Sequence, residues 1–151
     1  DMILIHKKFK ASVMASMKIN KKNVDRWGIY SIKSKINNNN FYIKDVVEKP
    51  HPSKAPSNNA VIGRYILPKK IFSKLINQKK GKGGEIHITD AIRRLVLEGN
   101  KFIGHKFKGK YLDCGTMNGY IKSSMEISKL WKFVWLELGM LVLSAAHVSQ
   151  I

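Results

Sequence analysis

The chain has a single cysteine, Cys114, among its 151 residues. One thiol excludes an internal disulfide and supplies no zinc cluster, a composition that suits a cytoplasmic protein. Acidic residues are scarce too: 10 Asp and Glu stand against 28 Lys and Arg, for a formal charge of +18. Long apolar runs are missing. The longest charge-free one, residues 138–150, falls short of the ~20 residues that span a bilayer. No secretory or lipidation motif is read at either end, so no membrane partner is expected.

An excess of positive charge invites a nucleic-acid reading, because phosphate backbones are held through Lys and Arg. Yet 24 of the 28 basic residues are Lys, and they are scattered rather than grouped with aromatics. Asn and Ile are abundant alongside them, as in the run Asn37 to Asn40. AT-rich coding raises Lys, Asn and Ile together. The expectation is therefore no specific nucleic-acid partner, with a basic field that helps draw in small anions.

Hydrophobic patterning gives a strand-rich α/β chain. Ile3, Ile5 and Phe9 read as helix, and alternation over 11–19 predicts a strand, followed by a Lys-Asn turn at 20–23. Strands follow over 28–34, 40–47 and 59–67, carried by β-branched and aromatic residues. Pro68 opens a short helix to Gln78, with Ile71, Leu75 and Ile76 on one face. Ile88 or Thr89 begins the next, with Thr89 as cap, Asp90 at the positive dipole end, and Ala91, Ile92, Leu95 and Val96 on its apolar face. His87, between Ile86 and Ile88, reads as a solvated strand residue. Residues 101–108 and 110–112 suggest a hairpin-like return. Thr116 caps a last helix on which Tyr120, Ile121, Met125 and Ile127 pack, and Cys114 reads as a small buried residue.

The most informative segment is Asp45-Val-Val-Glu-Lys-Pro-His-Pro. Neighbouring residues of a strand point to opposite faces unless the strand ends there. Pro50 and Pro52 end it, so Glu48 and Lys49 both reach one cleft. A carboxylate suits sugar hydroxyls and a lysine suits a phosphate. A sugar phosphate would use both.

Six blocks stand in order: Arg26-Trp-Gly-Ile, Val47-Glu-Lys-Pro, Ala55-Pro-Ser-Asn, Val61-Ile-Gly-Arg-Tyr, Gly83-Gly-Glu-Ile-His-Ile-Thr-Asp-Ala-Ile and Tyr111-Leu-Asp-Cys-Gly. Together they resemble the bacterial UTP–glucose-1-phosphate uridylyltransferase family, a branch of the sugar nucleotidyltransferases, over about residues 2–130 of the chain. The resemblance implies a Rossmann-like three-layer α/β fold with a mixed sheet. It also implies that the family's glycine-rich nucleotide loop and first metal aspartate have no counterpart here, so the chain is expected to be the C-terminal, sugar-phosphate half, cut through a helix. Residues 1–130 form that part, and 131–151 a tail outside the family pattern. Within the tail, residues 141–151 loosely resemble the first helix of UDP-glucose dehydrogenase without its glycine fingerprint.

From the same resemblance, Glu48 accepts hydrogen bonds from glucose hydroxyls, and Lys49 neutralises the sugar phosphate as the catalytic residue. Trp27 and Gly28 form a turn against the sugar, with Trp where the family commonly has Tyr. Asn59, Ala60 and Val61 meet the hexose, in part through the backbone, and Glu85 faces its pocket. Asp113 is either one carboxylate for Mg²⁺ or a turn former before Gly115. The implied partners are UTP, glucose 1-phosphate and UDP-glucose, in a protein that is a homo-oligomer at full length. Three alternatives remain: a thymidylyl- or cytidylyltransferase for glucose 1-phosphate, a basic polyanion-binding module, and a non-catalytic remnant that only dimerises.

Overall fold

The computed structural model describes residues 1–130. It divides into two compact units, Asp1–Lys108 and a second beginning at Gly109. The expected tail, 131–151, lies outside the described residues.

The first unit opens with helix α1 (Met2–Phe9), which turns through Lys10 in the left-handed region, φ 47°. The strands are β1 (Ser12–Lys18), β2 (Gly28–Lys35), β3 (Asn40–Glu48), β4 (Asn59–Ile66) and β5 (Phe102–Lys106). Helices α2 (Ile71–Ile76) and α3 (Ile88–Leu97) lie between β4 and β5. The Lys-Asn turn is a 3-10 helix, Lys21–Arg26, entered through Asn20, whose side chain accepts from the Lys22 N–H. Elements up to β4 thus fall within a few residues of where alternation and turn chemistry place them.

The sheet is mixed, as expected, and its five strands close on themselves in the order β1–β4–β2–β3–β5. β1 runs parallel to β5, while β1–β4, β2–β3, β2–β4 and β3–β5 are antiparallel. The expected return over 101–112 is corrected here. β5 finds its partners in β1 and β3, and residues 110–112 form no strand. Local pattern marks a strand without naming its neighbour.

Inside, Met14, Tyr30, Phe41, Val46 and Phe102 pack with Ile92 and Leu95 of α3. Tyr30 and Phe41 meet edge to face at 5.7 Å, a favoured aromatic geometry. The buried Tyr30 hydroxyl donates to the Ala15 carbonyl at 2.9 Å, which satisfies a group that would otherwise be costly to bury. A smaller cluster, Val24, Ile29 and Ala60, has Trp27 and Ala55 against it. Ile71 is buried, but Ile76 is 80% exposed, against expectation. Five residues at 100° each place Ile76 about 140° round the helix from Ile71.

In the second unit, residues 117–130 are helical. Thr116 caps this helix as expected, its hydroxyl accepting the Gly119 N–H at 3.1 Å. Tyr120, Ile121, Met125 and Ile127 are nonetheless exposed, and Ser123 is the buried position. Cys114 is exposed rather than buried, because it rides a bend in which Asp113 Oδ1 accepts from the Gly115 N–H at 2.9 Å. No helix among the described residues is long and apolar enough to cross a membrane.

Candidate active site

β2 and β3 are in register so that Gly28 pairs with Glu48. The strand ends at Glu48, and Lys49 swings into the left-handed region, φ 44°, with its N–H donating to the Trp27 carbonyl at 2.9 Å. For a residue with a Cβ that conformation costs on the order of 1 kcal/mol. It places two consecutive side chains on one side. Lys49 Nζ lies 4.0 Å from Glu85 Oε2, while Glu48 Oε1 lies 3.9 Å from His87 Nδ1. His87 Nε2 is in turn 4.0 Å from Glu85 Oε2.

Gly28 leaves room beside this group. A Cβ there would sit 3.0 Å from Glu48 Oε2 and 3.2 Å from both Val61 Cγ2 and Thr89 Cγ2. Glu48 therefore directs one oxygen toward His87 and the other toward the space over Gly28. Tyr65 of β4 stands close enough to feel this charge. Its hydroxyl titrates above the ordinary value, first through burial and then through the Glu48 carboxylate.

β4 alternates across the sheet. Asn59 and Val61 share a face, and Ala60 packs oppositely against Val24 and Ile29. Ala60 can meet a ligand on the Glu48 side only through its backbone. Asn59 is buried, yet its Oδ1 has no hydrogen-bond partner among the described residues. A buried acceptor of this kind is costly unless something donates to it. Trp27 is half-buried against the small apolar cluster, with its carbonyl tied to Lys49.

Sequence reasoning missed two groups. His87 is not a solvated strand residue: it occupies the N-cap position of α3, and its side chain is only 10% exposed. Thr89 is not the cap either. It is the second residue of α3 and is buried, with its methyl facing Gly28. Asp90 does lie in the first turn of α3, where its charge suits the dipole. The alternation of Ile86, His87 and Ile88 concealed His87, since its burial depends on β3 arriving from forty residues away.

Asp113 belongs to the second unit and makes the Asx-type turn already described. Among the described residues no group of three or more His, Cys, Asp or Glu could hold a metal. A magnesium ion does not require one, since it takes one or two carboxylates together with phosphate oxygens. A separate groove of about 820 Å³ runs past Lys33, Lys44 and Lys101. It includes none of the candidate residues.

Residues 1–129 match the Nucleotidyl transferase family. The chain belongs to that family. Over 124 residues it is 39% identical to a UTP–glucose-1-phosphate uridylyltransferase of Pseudomonas aeruginosa, covering 82% of this chain and 44% of that protein. Over 127 residues it is 38% identical to a putative UTP–glucose-1-phosphate uridylyltransferase of Methanocaldococcus jannaschii, covering 84% of this chain and 44% of that one. A solved UDP-glucose pyrophosphorylase complexed with UDP-glucose superposes with a TM-score of 0.79 at 40% identity, over 85% of this chain and 48% of that structure. The UTP-bound enzyme of Acinetobacter baumannii gives 0.74 at 30% identity, over 94% and 48%. The chain spans less than half the length of these relatives.

Proposed function

We propose that this chain carries the glucose 1-phosphate side of a UTP–glucose-1-phosphate uridylyltransferase, within a Rossmann-like three-layer domain completed by further chain. The observation that carries the reading is the break at the end of β3. The left-handed Lys49 brings a carboxylate and an ammonium to one side, beside a glycine whose missing side chain leaves space next to Glu48. Glu48 accepts from hexose hydroxyls, and Lys49 neutralises the phosphate. Asn59 Oδ1 takes a further donor, Val61 and the Ala60 backbone line the hexose, and Trp27 and Glu85 close the sides.

In the reaction, a phosphate oxygen of glucose 1-phosphate attacks the α-phosphorus of UTP in line, and pyrophosphate leaves. Such transfers depend on positioning and charge stabilisation more than on covalent work by the protein. Asp113 would hold Mg²⁺, which when bound offsets charge on the phosphates. The product is UDP-glucose. Residues 1–130 form the enzymatic part and 131–151 a tail, in a cytoplasmic homo-oligomer. The lone cysteine supports the location.

Steady-state kinetics on the full gene product test this. Lys49→Ala lowers kcat/KM for glucose 1-phosphate by about 10²-fold, as expected for loss of a charge contact in a desolvated site. Glu48→Ala mainly relaxes discrimination among hexose phosphates. Unchanged kinetics in both variants would reduce the pair to a solvated strand end.

A further inference from the structure

We propose that Gln78 is a positioning residue for the hexose pocket: it clamps the start of α3 to the end of α2 and so holds Thr89 against Gly28. The inference rests on the function proposed above and adds a residue outside the pocket on which the pocket's shape depends.

Helix α2 stops at Ile76, and Gln78 follows with its own N–H donating to the Leu75 carbonyl at 3.1 Å. The last carbonyls of a helix have no partner within it. Arg94 of α3 supplies one, its Nη2 donating to the Lys74 carbonyl at 2.8 Å. The same Nη2 donates to Gln78 Oε1 at 2.7 Å. A terminal guanidinium nitrogen carries two N–H groups, so both bonds are made at once. On its other side, Gln78 Nε2 donates to the His87 carbonyl at 2.7 Å.

Only an amide fits between these neighbours. The guanidinium is purely a donor and the carbonyl purely an acceptor. A side chain that joins them must accept at one atom and donate at the other, which also fixes the way the amide faces. Glutamate has the same size, yet it would keep the Arg94 contact and set an oxygen against the His87 carbonyl. All three bonds are partly buried, where an unmatched polar atom is costly.

His87 occupies the N-cap position of α3, and its carbonyl also accepts the Asp90 N–H at 3.1 Å, inside the first turn. Holding this carbonyl therefore sets where the helix starts. Between Gln78 and His87 the chain passes through Gly81, Gly83 and Gly84, the last two at positive φ. Glycine leaves such a path conformationally free, so the tie across its base fixes the start of α3 relative to α2. Thr89 follows at once. Its buried methyl lies 3.2 Å from where a Cβ on Gly28 would sit, in the space toward which Glu48 directs Oε2.

Steady-state kinetics on the full gene product compare wild type with Gln78→Met, which removes both side-chain contacts, and Gln78→Glu, which reverses one. KM for glucose 1-phosphate rises about 3-fold in the first and about 10-fold in the second. In both, kcat and KM for UTP stay within about 2-fold, as expected when binding of one substrate is lost uniformly. Ile71→Val, which trims a buried residue of α2 and lowers Tm, leaves KM unchanged. In a Thr89→Ser background the effect of Gln78→Glu shrinks, because both act through one contact. In parallel, hydrogen exchange of the first-turn amides of α3 speeds up about 10-fold relative to that of Leu95 in Gln78→Glu.

Normal KM in both Gln78 variants of an active enzyme overturns the positioning role alone. An equal rise in Ile71→Val, or strict additivity with Thr89→Ser, overturns it as well, since either makes the effect one of general stability. No turnover of UTP and glucose 1-phosphate by wild type overturns the proposed function, and the positioning role falls with it. Hydrogen exchange separates the two failures, because it reports the clamp without any substrate.

Discussion

Gly28 is a position where one added methyl group would press on the Glu48 carboxylate. Its nearest prospective clash is with Glu48 Oε2, at 3.0 Å, the far end of a side chain that can move. Gly28→Ala should therefore fold with a loss of no more than about 1–2 kcal/mol. By displacing the carboxylate, it should raise KM for glucose 1-phosphate about 10-fold. A variant with normal KM would place the sugar elsewhere. His105 makes a different point. It is buried on β5 with Nδ1 2.7 Å from Asn40 Oδ1, and burial pushes its pKa below the ordinary 6.5. A depressed folded-state value favours the neutral ring, so its stabilising contribution is complete above about pH 6.5 and is lost as pH falls through the lowered value. Urea denaturation from about pH 7.5 to about pH 5 should show declining stability, and His105→Asn should remove part of that slope. An identical slope in the variant would clear His105 of any role.

At the scale of elements, close approach of β5 to β3 depends on Gly104. It pairs with Phe41, and a Cβ would overlap the Phe41 ring. Gly104→Ala should destabilise by about 1–3 kcal/mol or more through overpacking. The double variant with Phe41→Leu should recover part of the loss, and a strictly additive double variant would refute the clash. Helix α3 is bound by its apolar face. Leu95 is fully buried, and Leu95→Ala should cost about 2–5 kcal/mol by chemical denaturation. The Arg93–Asp45 pair joins the same helix to β3 at 2.9 Å, but the arginine is 49% exposed. Its removal should cost under about 1 kcal/mol. The contrast says which force docks α3: burial, with the ion pair setting direction.

For the whole molecule, a charge of +18 makes some binding to DNA unavoidable, and its salt dependence identifies its origin. Contacts made by scattered lysines release counterions, so affinity falls steeply with ionic strength. Thermal shifts with duplex or single-stranded DNA should vanish near physiological salt. If the proposed function holds, the shift with UDP-glucose should persist, because the contacts proposed for it include hydroxyls and backbone groups as well as charge. Tight, sequence-selective DNA binding without a UDP-glucose shift would favour a polyanion module over the enzyme. The aligned relatives are more than twice as long as the shared region, so the measurement belongs on the full gene product.

What the sequence determined was whatever depends on near neighbours. The 2.0 and 3.6 periods placed β1 to β4 and the buried face of α3, and Glu48-Lys49-Pro50 announced the end of a strand. Thr116 announced a cap. The tertiary structure alone decided the rest. β5 joined β1 and β3 instead of folding back, because pairing is settled by which open edge the chain meets. Cys114 came to the surface and His87 went inside, since burial is a property of what arrives opposite a residue. The joining of Glu48, Lys49, Glu85 and His87 is the clearest case: β3 and the start of α3 are about forty residues apart in sequence, and only the packing of α3 on β3 brings these side chains to about 4 Å from one another.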